Sequence, residues 1–265
     1  MAGARIFTVV LVYNVRCQDS AACRALAAMG RRDVLVVDNS TKDLPNGAYC
    51  QKHGWQYAAM GGNFGLARAY NRATALLLDA CDFIVWLDDD TQLTEDYFAA
   101  LETATRRQGG VDIFLPLVHD EAGLLSPSAI RGNKVWRVAR PEDIGPGEIT
   151  GINSGMAVRT ELYRDYRYDE GYFLDYIDHA FLRDMKAGGA VIAVLDAVLQ
   201  QRFFGNQRGD VAAAARRFAI FRKDFARFCG RGPGGRLYAA YGILRHGAGL
   251  VLKNRSLGVL FGGRD

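Results

Sequence analysis

Three adjacent acids, Asp88, Asp89 and Asp90, follow the apolar run 83–87. Carboxylates crowded at the end of a buried strand repel one another and raise each other's pKa unless a cation neutralises them. The triplet therefore suggests a divalent ion, Mg2+ or Mn2+, held through oxygen ligands. The alternative is that these acids cap the next helix, which Thr91 or Thr94 could do unaided. A second acidic pair, Asp175 and Asp178, precedes a helical segment over 179–186. Three apart at a helix N-terminus, the two would share one face and the dipole would favour their ionised forms, so that one could accept a proton; capping is again the alternative. A third feature is the stretch Gly61-Gly62-Asn63-Phe64-Gly65, after which apolar residues recur at helical spacing over 66–79. A glycine-rich turn opening a helix suits a phosphate or a sugar nucleotide.

These groups need a frame. The β-branched run 6–12 ends at Tyr13-Asn14, an alanine-rich helical stretch covers 20–29, and the run 34–37 stops at Asp38-Asn39-Ser40. Strand, helix, strand ending in a polar loop opens a parallel α/β sheet, whose ligands sit at the strands' carboxyl ends. Further strands are predicted over 57–60, 83–87, 113–117, 135–138 and 191–195, with an amphipathic helix over 94–106, and 150–158 returns the chain to the sheet through a glycine-flanked turn. Of 265 residues, 49% are hydrophobic and 23% charged, an ordinary globular balance that excludes disordered and fibrous classes. Cys17, Cys23, Cys50, Cys81 and Cys229 form no C-x-x-C pair, which argues against a zinc ribbon and for reduced thiols. His53, His119, His179 and His246 lie at no metal-ligand spacing. With no cleavage-site pattern behind the first apolar run, the expected location is cytoplasmic.

The net charge of +4 conceals an asymmetry: residues 201–265 hold 13 Lys+Arg against 3 Asp+Glu, and the first 200 hold 20 against 26. Two amphipathic helices are predicted in this basic tail. The first, over 211–228 with Asp210 as cap, carries Phe218, Phe221, Phe225 and Phe228 at three- and four-residue steps. The second has Leu237, Tyr241, Leu244, Ala248 and Val251 on one side, with Arg245, Lys253 and Arg255 near its ends. Such a tail either docks on an anionic membrane surface or packs its apolar stripe against the body or another subunit, as in a homo-oligomer. The body's negative balance weighs against nucleic acid.

In order along the chain, Val12-Tyr13-Asn14, Val36-Val37-Asp38-Asn39-Ser40, Gly62-Asn63-Phe64-Gly65-Leu66-Ala67-Arg68-Ala69-Tyr70-Asn71, the Asp-x-Asp at Asp88 and Asp90, Ser154-Gly155 and Asp175-Tyr176-Ile177-Asp178 resemble glycosyltransferase family 2. The resemblance covers residues 6–205. It implies one A-type nucleotide-binding α/β domain with a mixed, mostly parallel sheet over 1–205, followed by amphipathic helices over 206–265. Within the family the chain looks most like rhamnosyltransferases, which use dTDP-rhamnose; a UDP-sugar such as UDP-galactofuranose is the alternative donor.

What the resemblance implies for residues is specific. Asp88 and Asp90 would hold the metal, with Asp89 beside the nucleotide sugar. Tyr13 and Asn14 would line the nucleoside pocket, Asp38 would hydrogen-bond the pyrimidine, and Asn39, Asn63 and Gly65 would lie along the donor site. Arg68 would meet the diphosphate. Asp175 or Asp178 would be the general base, with Asp175 preferred because the second place of the family's acidic pair is Tyr176 here. Many relatives carry a metal-ligating His where this chain has Arg202, so either fewer protein ligands hold the metal or Arg202 itself neutralises the pyrophosphate. The acceptor would be a glycan or lipid-linked oligosaccharide at the cytoplasmic face of the inner membrane. An inert sugar-nucleotide binder that kept the fold is the competing class.

Overall fold

Unbroken apolar runs near the N-terminus form strands buried on both faces. In the computed structural model, which describes residues 3–201 and 210–261, β1 (Ile6–Val12), β2 (Val34–Asp38), β3 (Gln56–Ala59) and β4 (Phe83–Asp88) pair in parallel in the order β3-β2-β1-β4. Helices α1 (Ala21–Ala28), α2 (Asn46–His53) and α3 (Leu66–Leu77) make the crossovers. Ser20 caps α1 by accepting from the Cys23 N–H.

Beyond β4 come β5 (Thr91–Gln92), α4 (Glu95–Arg107), β6 (Ile113–Asp120) and its hairpin partner β7 (Gly123–Ser126). Thr94 precedes α4 without a side-chain capping bond; Glu95 and Asp96 in the first turn and Arg106 and Arg107 in the last complement the helix dipole instead. Strands β8 (Ser128–Arg131), β9 (Lys134–Trp136) and β10 (Ile149–Thr150) make a separate antiparallel sheet. The strand predicted over 135–138 is thus shorter and lies outside the main sheet. β11 (Ala157–Arg159) enters antiparallel between β4 and β6. β12 (Ile192–Gln201) runs parallel to β6, shifts register between Leu195 and Val198, and reaches β5 with its last two residues. The bulge gives the strand the bend it needs. The full order, β3-β2-β1-β4-β11-β6-β12-β5, is the mixed, mostly parallel sheet expected.

Two cores cover the sheet. On one face Tyr70 and Leu77 of α3, Phe181 and Leu182 of α5 (Ile177–Ala187) and Trp86 of β4 belong to one buried cluster; on the other, Leu26 of α1, Tyr97 and Leu101 of α4, Val85 and Phe114 belong to a second. All five cysteines are buried and free, as their spacing suggests.

The tail forms α6 (Val211–Cys229), capped by Asp210 through the Ala213 N–H, and α7 (Pro233–Asn254). Phe218, Phe225 and Phe228 turn inward. α7 crosses α6 at glycines: a Cβ on Gly242 would sit 2.3 Å from the Phe225 ring, and one on Gly247 2.9 Å from Phe218. Glycine is required there by contact, because any side chain would push the two helices apart.

Candidate active site

The parallel strands deliver Tyr13, Asp38, Asp88 and Gln201 to one edge of the sheet. Asp88 Oδ2 accepts from Ser154 Oγ at 2.7 Å and from Gln201 Nε2 at 3.3 Å, and the same Nε2 donates to Asp90 Oδ1 at 3.4 Å. Burial raises Asp88; burial and the Asp88 charge push Asp89 up to about 6; burial and both neighbours push Asp90 up to about 7. Among the described residues no Lys or Arg pairs with any of the three. Their side chains do not cap α4, so the capping alternative does not describe them. Gln201 Oε1 is buried without a partner, as are Oδ1 and Nδ2 of neighbouring Asn153. Uncompensated carboxylates beside orphaned buried amides fit a bound cation and its ligands. No three His, Cys, Asp or Glu side chains converge on one point among the described residues. The edge therefore offers an ion two carboxylates, a number sufficient for magnesium where phosphates and water complete the shell.

The expected donor residues fall into two groups. Tyr13 is half exposed, with its ring open to solvent. Asn14, at φ 56°, accepts the N–H groups of Thr41 and Lys42 at 3.0 and 3.1 Å and so ties the loop after β1 to that after β2. Asp38 is buried and accepts from Asn46 Nδ2 (2.8 Å), Tyr57 Oη (3.0 Å) and the Ser40 N–H (3.0 Å). Three of a carboxylate's four acceptor positions are thereby used within the protein. Asn39 Nδ2 donates to Asn63 Oδ1 at 3.0 Å, linking the loops after β2 and β3.

Gly65, at φ 84°, differs from the phosphate-cradle expectation. Its N–H goes to Asn63 Oδ1, the next N–H, of Leu66, donates to Phe173 O at 2.7 Å, and a Cβ on Gly65 would lie 2.9 Å from that same oxygen. The start of α3 is occupied by the 173 loop, and the glycine serves that approach. Arg68 differs likewise: it pairs with Glu170 at 3.1 Å on the surface. Arg202 lies outside the described residues.

The second acidic pair is split. α5 begins at Ile177, after Tyr176 in the left-handed region at φ 61°. Asp178 therefore stands in the first turn while Asp175 precedes the helix, and the two do not share a helical face. Both oxygens of Asp175 receive the guanidinium of Arg217 from α6. For Asp178, burial first, then the Asp88 charge and to a lesser degree that of Asp175 push the carboxyl up to about 7; the Asn153 N–H, 3.1 Å from its Oδ2, acts the other way. His179, next along, is bonded to Thr150 Oγ1 at 2.8 Å and lowered to about 4 by burial.

Sequence reasoning passed over the residues that hold this loop. Asp224 of α6, wholly buried, accepts the consecutive backbone N–H groups of Phe173, Leu174 and Asp175 at 3.1, 2.8 and 2.9 Å. Arg227 pairs with Asp169 through two bonds, and the Tyr176 ring stacks on Phe228 at 4.8 Å. A helix whose phenylalanines signalled membrane docking or packing also carries Arg217, Asp224 and Arg227 on the loop-facing side. The signal available was Asp224 itself, a lone acid among ten basic residues over 211–255.

Residues 12–167 match the sequence profile of Glycosyl transferase family 2. The chain belongs to that family. Among solved structures it is similar to GalNAc-T7 crystallised with UDP, GalNAc and Mn2+ (TM-score 0.60, 12% identity, covering 92% of this chain and 54% of that one). It is also similar to the mannosyltransferase PcManGT from Pyrobaculum calidifontis in complex with GDP-Man and Mn2+ (TM-score 0.55, 16% identity, 96% and 73%). A third is mannosyl-3-phosphoglycerate synthase from Rubrobacter xylanophilus (TM-score 0.52, 15% identity, 92% and 75%). At these identities the likeness is one of fold, and this chain spans about half the length of the GalNAc-T7 chain. No curated protein matches the sequence.

Proposed function

We propose that the protein is an inverting glycosyltransferase that moves a sugar, L-rhamnose from dTDP-rhamnose, to a hydroxyl of a glycan or lipid-linked oligosaccharide. The observation that carries this reading is Asp178, a carboxylate raised toward neutrality by burial and by the nearby Asp88 charge, at the first turn of α5. Asp88 and Asp90 would hold a divalent ion, Mg2+ or Mn2+, which when bound neutralises charge on the departing diphosphate. The Mn2+ and nucleotides named for GalNAc-T7 and PcManGT support that assignment.

Asp178 is the better base. A general base works best with a pKa near the working pH, and Asp178 has one free oxygen, whereas both Asp175 oxygens are engaged by Arg217. As the acceptor oxygen forms its bond to C1 from one face, the C1–O bond to the diphosphate breaks on the other and its electron pair leaves with the nucleoside diphosphate. The acceptor's proton passes to Asp178. Tyr13 offers an exposed ring for the base, and Asn14 and Asn39 fix the loops beneath it. Rhamnose rests on the likeness of the 63–71 and 175–178 strings to rhamnosyltransferases.

Calorimetric titration of dTDP, UDP and GDP with and without Mn2+ tests this. Metal-dependent binding selective for dTDP is expected; preference for UDP would keep the transferase and change the sugar, and no binding to any nucleotide would refute the reading.

A further inference from the structure

We propose that the outward face of α7 docks the protein on an anionic lipid bilayer. α7 is apolar on two sides, and α6 covers only one of them. Ala239 and Gly247 are buried against α6 and its phenylalanines, while Leu237 (74% exposed), Tyr241 (62%), Leu244 (74%) and Leu252 (79%) face solvent. At 100° per residue, these four and Ala248 fall within an arc of roughly 80° and form a stripe ~22 Å long. A contiguous exposed stripe of this kind marks an interaction surface, since large side chains are not left together in water without use. The same helix has no run long and apolar enough to cross a membrane.

Charge selects the occupant. Arg236 and Arg245 flank the stripe, Lys253 and Arg255 close its far end, and no Asp or Glu occurs between Asp224 and Asp265. A second copy of the chain is a poor match: a two-fold pairing of this face would set these cations against their own images with no acid between them. An anionic bilayer supplies both parts, an apolar layer for the leucines and phosphates for the cations.

The stripe also borders the site. A hollow of about 700 Å³ lined by Tyr241, Arg245 and Lys253 shares Tyr176, Phe221 and His246 with a cleft of about 590 Å³ that has Asp175 and Arg217 in its wall. Docking through α7 therefore sets that cleft at the bilayer surface. The docking stands apart from the transferase reading; only its use in presenting a lipid-borne acceptor rests on it.

The test is co-sedimentation of the full chain with vesicles of phosphatidylcholine and phosphatidylglycerol in equal parts, against phosphatidylcholine alone, with size and mass measured in solution. Binding to the anionic vesicles that weakens with salt is expected. Each Lys or Arg at the surface is worth about five-fold in partitioning, so Arg245→Gln with Arg255→Gln lowers it ~25-fold. Leu244→Ser with Leu252→Ser lowers it by on the order of a hundred-fold. All four side chains are exposed, so unchanged circular dichroism and thermal midpoint are expected for both variants. Absence of binding, equal binding to neutral vesicles, or a solution dimer that the leucine variant separates would each overturn the proposal. None of these outcomes depends on a sugar donor.

Discussion

Asp224 is the residue whose removal most directly tests how the tail supports the site. Its carboxylate takes three successive amides of the 173–175 loop, with Oδ2 on Leu174 and Asp175 and the Phe173 N–H shared between Oδ1 and Oδ2. Asp224→Ala leaves three amides without acceptors. A hydrogen bond to a charged group contributes roughly 1.5–3 kcal/mol, which would set a ceiling near 9 kcal/mol. Loop movement lets water reach the amides, and removing the acid relieves its own burial, so about 3 kcal/mol is the expected loss. Asp224→Asn keeps one oxygen for Leu174 and Asp175 but turns an amide donor toward the Phe173 N–H, for a loss of about 1 kcal/mol. Denaturant midpoints give the total, and hydrogen exchange localises it. The amides of Phe173, Leu174 and Asp175 should exchange on the order of a hundred-fold faster in the alanine variant, while those of β1 and β4 keep their order of protection. Stability within about 0.5 kcal/mol of the parent together with unchanged exchange at these three amides would refute the argument, because a pinning residue cannot be removed without loosening what it pins.

Two further outcomes follow from the same geometry. Asp90 and Asp178 are both raised to about 7 in the folded protein from 3.8, so the folded state holds more protons than the unfolded one between those values, and stability falls as pH rises through this window. Each group accounts for at most ~4 kcal/mol of that fall. The thermal midpoint in chelator should therefore drop from pH 5 to pH 8, Asp90→Asn should flatten the slope, and Mn2+ should restore the midpoint of the parent and not of the variant; a midpoint that rises with pH would contradict the burial of these acids. Gly65→Ala places a Cβ 2.9 Å from Phe173 O at a left-handed φ of 84°, so a loss of about 2–3 kcal/mol in denaturant unfolding is expected, and a neutral effect would show that the 173 loop does not press on α3.

Much of the sheet was legible because its evidence is local. A strand buried on both faces must be an apolar run, and 6–12, 34–37 and 83–87 are such runs, each ending in the polar residues that reach the sheet edge. The Asp88–Asp90 position was readable for the same reason. The short strands β7, β8 and β10 were not, since a few residues of antiparallel pairing leave no periodicity to detect. Gln201 escaped notice because the strand predicted to end at 195 continues through a bulge to 201, and only that extension brings its amide between Asp88 and Asp90. Ser154 was visible as a turn residue and not as a partner of Asp88, 66 positions away. The acidic pair at 175 and 178 was legible, but spacing implied a shared helical face and the resemblance favoured Asp175 as the base. The left-handed residue between them, which separates them, has no signature in a tyrosine.

On the proposed reading, the division of labour between body and tail follows from what each side of the reaction requires. The groups proposed for the donor stand at the ends of β1, β2 and β4, in the middle of a sheet packed on both faces. The groups proposed for the acceptor lie on or beside the 164–176 segment, which forms neither helix nor strand and includes Tyr176 in a conformation costing roughly 1–2 kcal/mol for a side chain of its kind. A base must be held within a fraction of an ångström of its proton, so this segment needs order from elsewhere. α6 supplies it at four points: Arg217 on Asp175, Asp224 on three amides, Phe228 under Tyr176 and Arg227 on Asp169. Cutting the chain before α6 should therefore remove transfer even though every strand of the donor half remains, and a surface that anchors α7 acts on the same segment through one helix–helix contact.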